Sequence, residues 1–255
     1  MPQIGLHMVI ASQIADAGDV KLLRDHIGAF LLGSTSPDVR VMTRQDRKTT
    51  HFFDLNVMDP QDSIGGLFAE YPSLADPERL NAETRAWMCG YIAHLVMDEN
   101  YINGVYRPFF AEHDRLGGQL RANAMDRVLQ FYLDNTYCDP MDVRTYLSDS
   151  LRISTDTIET VFLESVVLSK WHKLTTDVAS GGMESSRMRS MMANFLKFSG
   201  MPDEEERNVF LDGLPELLES SIEHVSRDEV DRFLERSRSA AKETVNRYLG
   251  REWAI

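Results

Sequence analysis

The chain has 255 residues, of which 43% are hydrophobic and 26% are charged. This composition suits one large domain or two small ones, with an apolar core and a soluble surface. The formal net charge of −13 repels nucleic-acid backbones and anionic membrane surfaces at long range, so nucleic acid is not an expected partner. Two cysteines are too few for a disulfide framework, which favours a reducing compartment.

The N-terminal residues show no basic leader and no small-residue cleavage site, which predicts that no signal peptide is present. No apolar run reaches the length of about 18 residues that a membrane-spanning helix needs. We therefore expect a cytoplasmic protein without a transmembrane segment.

Helical periodicity recurs along the chain, and no convincing β-alternation is found. The pattern predicts helices over residues 6–17, 21–32, 64–71, 81–100, 117–135, 154–175, 183–198, 202–219 and 227–248, with an aromatic connector over 101–110. The predicted fold is all-α, a bundle of roughly eight helices in a single domain over residues 1–255.

The first candidate ligands lie before the central helix. His7 stands at the start of the first predicted helix, and His51 precedes two phenylalanines. Pro37 biases Ser36 towards extended geometry, and Asp38 follows directly. Asp38 is explained either as the cap of a new helix or as a metal ligand on a loop held by rigid neighbours.

The most basic stretch of this acidic chain follows Asp38 and contains Arg40, Arg44, Arg47 and Lys48. A solvated loop is one explanation. A site for phosphate oxygens is the better one if metal ions lie nearby, because guanidinium groups match phosphate geometry.

The predicted helix over 81–100 carries His94 and Asp98 in an otherwise apolar stretch. Their four-residue spacing places both side chains on one face, one turn apart. A buried polar group without a partner costs roughly 2–7 kcal/mol. A divalent metal is one possible partner, and imidazole with carboxylate suits zinc or iron. A plain His–Asp hydrogen bond explains this pair equally well when it is taken alone.

Five residues taken together favour a metal site over a plain His–Asp hydrogen bond. Two imidazoles and two carboxylates suffice for one zinc ion, and a further histidine with a bridging aspartate can hold a second. The five candidates are His7, Asp38, His51, His94 and Asp98. Their order, a histidine near the N-terminus, then GSTSPD, then a histidine, then HLVMD, resembles the zinc-dependent phospholipase C family, which is related in fold to the S1/P1 nucleases.

The resemblance covers about the first 110 residues and implies an all-α fold that hydrolyses phosphodiesters or phospholipid head groups with up to three zinc ions. It implies that Asp38, His51, His94 and Asp98 bind the first zinc, with Asp98 also bridging. His7 matches a ligand of a second zinc.

The sequence departs from the family pattern downstream of the HLVMD motif. A histidine expected a few residues after the aspartate is absent, and Ile102 and Gly104 stand near its place. The later HxxxE pair is also absent, with Ala122 and Asp126 near its position. We therefore expect one or two ions, zinc or another divalent transition metal, with Asp126 as a loosely matched ligand.

The leading hypothesis is a hydrolase that uses metal-activated water on a small-molecule or lipid phosphoester. Asp98 would bridge or orient, and Arg44 or Arg47 would stabilise the developing charge. Iron-dependent oxygenase chemistry and an HD-type phosphohydrolase are alternatives, although the one His-Asp dipeptide, His113–Asp114, lies in a polar stretch. A third alternative is a non-catalytic helical binding module that a metal stabilises.

Overall fold

The structure, a computed structural model, describes residues 1–17, 20–181 and 185–253, with the backbone alone for residues 185–187. This part of the chain contains fourteen α-helices and no β-strand, which confirms the all-α prediction. The helices are α1 (Ile4–Ala17), α2 (Lys21–Asp25), α3 (Ile27–Gly33), α4 (Arg40–Thr43), α5 (Lys48–His51), α6 (Ser63–Glu70), α7 (Ala82–Tyr101), α8 (Gln119–Cys138), α9 (Met141–Ser150), α10 (Ser165–Gly181), α11 (Ser185–Phe198), α12 (Glu204–Asp212), α13 (Leu214–Val225) and α14 (Arg227–Leu249).

The number of helices exceeds the roughly eight expected, and two of the predicted helices are each interrupted. The backbone of His26 leaves helical geometry, with φ −120° and ψ 39°, and so separates α2 from α3. Gly213 separates α12 from α13, and a proline in the first turn of α13 starts the new helix. The short helices α4 and α5 and the helix α9 were not predicted at all.

Two further segments differ from expectation. The helix predicted over 154–175 begins only at Ser165, because the preceding loop pairs with the start of α7. There the Asn81 side chain donates to the Thr157 carbonyl (2.8 Å), and the Glu159 amide donates to the Thr84 hydroxyl (2.8 Å). The aromatic connector is a π-helical extension of α7, Ile102–Phe110. The start of the helix predicted over 183–198 lies outside the described residues.

Helix α7 occupies the centre of the fold and packs against α3 on one side and α14 on the other. Two glycines permit the close approach of α3. A Cβ atom at Gly33 would lie 2.0 Å from the Trp87 carbonyl oxygen, and one at Gly90 would lie 2.1 Å from the Phe30 carbonyl oxygen. The end of α3 is therefore held directly against the middle of α7, where His94 lies.

The turn after α3 is held by two buried tryptophans. The indole Nε1 of Trp87, on α7, donates to the Ser36 hydroxyl at 3.0 Å. The indole Nε1 of Trp171, on α10, donates to the Thr35 hydroxyl at 3.0 Å. Elements from both halves of the chain thus position the short 3-10 helix Ser36–Val39.

The buried apolar residues form one cluster that includes side chains from α1 near one end of the chain and from α14 near the other. The organisation as a single domain stays a prediction. No helix in the described ranges combines the length and apolar character needed to cross a membrane.

The contact between α3 and α7 leads to the first testable prediction. Gly90→Ala should lower the free energy of unfolding by about 1–3 kcal/mol, because a backbone oxygen cannot move aside as a side chain can. Gly181→Ala is the control, since nothing lies within 4 Å of a Cβ atom there, and a change within about 0.5 kcal/mol is expected. Urea unfolding measures both, and equal stability of the two variants would contradict the close-approach argument.

Candidate metal centre

Five side chains from four elements converge beside the middle of α7. His7 comes from α1, Asp38 from the 3-10 helix, His51 from the last position of α5, and His94 and Asp98 from α7 itself. The three histidines and Asp98 are almost completely buried, whereas the Asp38 side chain is 18% exposed. Solvent therefore reaches this cluster at the Asp38 side chain.

The ligand atoms have the spacing of a tetrahedral metal site. His51 Nε2 lies 3.3 Å from both His94 Nε2 and Asp98 Oδ2, and the latter two atoms are 3.6 Å apart. Asp38 Oδ1 lies 3.5 Å from His51 Nε2. Ligands at about 2.1 Å from a tetrahedral zinc ion are separated from one another by about 3.4 Å. His51, His94 and Asp98 therefore have the mutual spacing of ligands to one zinc ion, and Asp38 joins His51 and His94 in a group of closely spaced ligand atoms.

The second nitrogen of each imidazole sets its tautomer. His94 Nδ1 lies 2.8 Å from the Ser34 carbonyl oxygen, which can only accept, so Nδ1 carries the proton. His51 Nδ1 lies 2.9 Å from the Thr50 hydroxyl, whose own proton is donated to the Arg47 carbonyl. Both rings consequently present an Nε2 lone pair towards the same point. Such outer partners orient metal-ligating histidines in proteins.

His7 adds a second potential position. Its ring stacks on that of His94, with centroids 3.8 Å apart, and its Nε2 lies 3.4 Å from Asp98 Oδ1. Both of these buried atoms lack a hydrogen-bond partner among the described residues. Since His94 has one free nitrogen, an ion at His7 and Asp98 Oδ1 cannot use that nitrogen while the first ion holds it. The residues fit one ion fully and a second ion with fewer ligands.

The electrostatics of the cluster favour cation binding. Burial raises the pKa of Asp38, but the hydrogen bond with His51 and the charge of His94 outweigh it and lower the pKa to about 2. Burial also raises the pKa of Asp98, but the neighbouring imidazoles outweigh this effect and hold the pKa well below its usual range. Burial lowers the pKa of His7 to about 4. Ionised carboxylates and a neutral imidazole are the protonation states that a metal ion requires.

The charge of Asp98 acts most strongly on His94. Burial alone would lower the pKa of this imidazole, but Asp98, Asp38 and the Ser34 carbonyl together outweigh burial, so that the pKa is raised.

The two predicted catalytic arginines have different positions. Arg47 Nη2 lies 2.6 Å from Asp98 Oδ2, and its side chain is 9% exposed. The small cavity between Arg47, Phe53, Leu95 and Ile102 has no room for a water molecule. Arg44 is exposed and follows α4 with a left-handed backbone, φ 59°. The structure brings Arg47 into the cluster and leaves Arg44 at the surface.

Asp126 is buried on α8 and has other partners. It accepts hydrogen bonds from the Tyr101 hydroxyl at 2.6 Å and from Gln130 Nε2 at 2.7 Å. It belongs to neither of the groups of metal-ligating side chains found in the described ranges, His7–His94–Asp98 and Asp38–His51–His94. A role of Asp126 as a ligand stays a prediction that these contacts do not favour.

Sequence reasoning missed the groups that orient the ligands. The Ser34 carbonyl is a backbone group, for which a sequence carries no signal. Thr50 directly precedes His51, so a hydroxyl next to a candidate ligand was the available indication.

Residues 6–101 match the family described as zinc dependent phospholipase C. The match confirms the suspected resemblance and contains all five converging side chains, and the all-α architecture is consistent with the phospholipase C/P1 nuclease type. No curated protein and no solved structure matches the chain. Together, the family match and the cluster support a metal-dependent phosphoester hydrolase in general terms, with zinc indicated by the family.

The centre predicts a dependence of stability on metal. An ion bound only by the folded state stabilises it by mass action, so a chelator should lower the melting temperature. His94→Ala should abolish this sensitivity, whereas His224→Ala, on the exposed side of α13, should retain it. Melting curves with elemental analysis before and after chelation provide the measurement. An unchanged melting temperature in protein that demonstrably lost its metal would contradict the coupling.

The lowered pKa of His7 predicts a pH dependence in the chelator-treated protein. Between pH 4 and about 6.5 the unfolded chain protonates this imidazole and the folded chain does not, so stability should rise with pH through this window. The full difference is about 3 kcal/mol. Urea unfolding at pH 4.5 and 6.5 should show this rise in the unmodified chain and a smaller one in His7→Asn. Equal slopes in the two proteins would argue against a neutral buried His7.

Proposed function

We propose that this protein is a zinc-dependent phosphoester hydrolase whose tight metal site consists of Asp38, His51, His94 and Asp98. The observation that carries the proposal is the convergence of two imidazoles and two carboxylates, in which His51 Nε2 lies 3.3 Å from His94 Nε2, 3.3 Å from Asp98 Oδ2 and 3.5 Å from Asp38 Oδ1. When bound, zinc polarises a phosphoryl oxygen and activates water at neutral pH.

The route of the substrate follows from exposure. Asp38 is the one ligand with an appreciable exposed fraction, so the phosphoester approaches from its side of the cluster. Arg40 and Arg44 follow Asp38 closely in the chain and supply positive charge on that approach, and Arg44 is exposed. In a protein of net charge −13, this local reversal of sign attracts an anionic substrate.

Asp98 and Arg47 have separate roles in the proposed site. Asp98 orients the imidazoles of His7 and His51, because its two oxygens contact their Nε2 atoms. Arg47 Nη1 is buried without a hydrogen-bond partner among the described residues, so a phosphoryl oxygen would satisfy it. Because the adjoining cavity has no room for water, this contact requires a shift of the surrounding side chains.

One observation favours a lipid-like phosphoester over a small soluble one. The loop after His51–Phe53 exposes three aliphatic side chains, Leu55 at 45%, Val57 at 40% and Met58 at 68%. The Gln61 side chain bonds the backbone of Asp54 and Val57, which holds this loop in shape. An ordered, exposed apolar loop near the ligands suits contact with acyl chains.

The alternatives lead to different outcomes. An HD-type site would need His113–Asp114, which lies in the 3-10 helix His113–Leu116 and in neither ligand group of the described residues. Iron with oxygen consumption would indicate oxygenase chemistry. A loaded metal site without turnover of any phosphoester would indicate a binding module.

Paired substitutions test the proposed catalytic centre. Asp98→Asn should lose the metal and reduce hydrolysis of a chromogenic phosphodiester by at least about 100-fold, because a ligand charge is removed. Asp126→Asn is the matched control and should keep the metal, since its oxygens bond Tyr101 and Gln130 instead. Metal counting and turnover on soluble diester and on phospholipid micelles give the readouts. Loss of the metal in Asp126→Asn with its retention in Asp98→Asn would overturn the ligand assignment.

A further inference from the structure

Arg47 shares one carboxylate oxygen with the metal site. Asp98 Oδ2 faces the Nε2 atoms of His51 and His94, and Arg47 Nη2 contacts the same oxygen at 2.6 Å. The other oxygen, Oδ1, faces the unpartnered Nε2 of His7. A carboxylate that bridged two ions would therefore have a guanidinium as a third cationic neighbour.

The formal charges show what this third neighbour does. Among the five candidate ligands and Arg47, Asp38 and Asp98 contribute two negative charges, the neutral imidazoles none, and Arg47 one positive charge. Glu99 lines the cavity beside Arg47 and accepts from the Ser63 amide, and its charge adds equally to every loading state. One divalent ion brings this buried set to a net charge of plus one, and a second would bring it to plus three. Without Arg47, the net charge would be zero with one ion bound and plus two with two ions bound. An uncompensated buried charge is costly, so the guanidinium disfavours the second ion.

We propose that Arg47 is a fixed counter-cation that limits this centre to one tightly bound metal ion; the inference rests on the metal site of the proposed function. Arg47 is the positioning residue here, because it acts through Asp98. The single net positive charge that remains with one ion suits the binding of an anionic phosphoester.

The local structure keeps the guanidinium in this place. Arg47 immediately precedes α5, and its carbonyl accepts from the His51 amide at 2.8 Å, so the two side chains leave the same turn towards Asp98. Phe53, Leu95 and Ile102 line the cavity beside it and leave no room for a water molecule. Glu99 lines the same cavity and the Met1 sulfur accepts from Arg47 Nε at 3.0 Å, but Asp98 is the carboxylate with which the guanidinium forms its ion pair.

Metal stoichiometry tests the inference. After saturation with Zn²⁺ and dialysis against metal-free buffer, the unmodified chain should retain one equivalent. Arg47→Met removes the charge with similar bulk and should retain two, whereas Arg47→Lys keeps the charge and should retain one. Arg44→Met removes a charge that the structure places at the surface and should also retain one. Combining Arg47→Met with His7→Asn should return the count to one, since His7 faces Asp98 Oδ1.

A Co²⁺ titration of the unmodified chain, followed by visible absorption, needs no variant. It should saturate in a single tight phase at one equivalent. Two equally tight equivalents would overturn the inference, as would one retained zinc in a folded Arg47→Met or Arg47→Gln protein. Failure of the proposed function has a different signature, either no metal in the unmodified chain or one metal without phosphoester turnover.

Discussion

Two imidazole nitrogens that carry lone pairs when their rings are neutral lie 3.3 Å apart at the centre of this protein. Neither neutral ring can donate to the other, because each proton is held on the far side of its ring by a carbonyl or a hydroxyl. In water such a pair would be hydrated or protonated, but here both rings are almost completely buried. A cation between them removes the repulsion, and the two carboxylates supply the balancing charge. The surrounding helices therefore bring together the kinds of side-chain atoms that a metal ion binds.

The architecture maintains this arrangement by restricting the elements that carry the donors. Glycine at positions 33 and 90 lets α3 lie against α7 closely enough for the Ser34 carbonyl to reach His94. The Tyr91 hydroxyl donates to the Thr50 carbonyl and so connects α7 to the turn that ends in His51. Two indoles hold the segment before Asp38. His94, His51 and Asp38 are thus each held by a contact at or within a few residues of them, which is the support that a preorganised metal site needs.

The parts of the structure that depend on local geometry could be predicted from the sequence. The pairing of His94 with Asp98 follows from the pitch of a helix, and the all-α class follows from periodicity. The late start of α10 could not be predicted, because contacts between the preceding loop and the start of α7 decide it. The contact of Arg47 with Asp98 depends on how α5 packs against α7, which the sequence does not reveal. Arg44 and Arg47 were therefore equal candidates for charge stabilisation, although Arg44 lies at the surface.

The exposure of Asp38 alone among the ligands has a consequence for metal exchange. In the proposed site, the side of the Asp38 carboxylate is the most exposed approach for an ion. The segment that carries Asp38 is tied through Thr35 to Trp171 on α10, which lies outside the stretch that matches the zinc-dependent phospholipase C family. In the proposed metal site, loosening of this turn would govern the rate of metal release, and a C-terminal helix would act on the lifetime of the bound ion without providing any of its ligands.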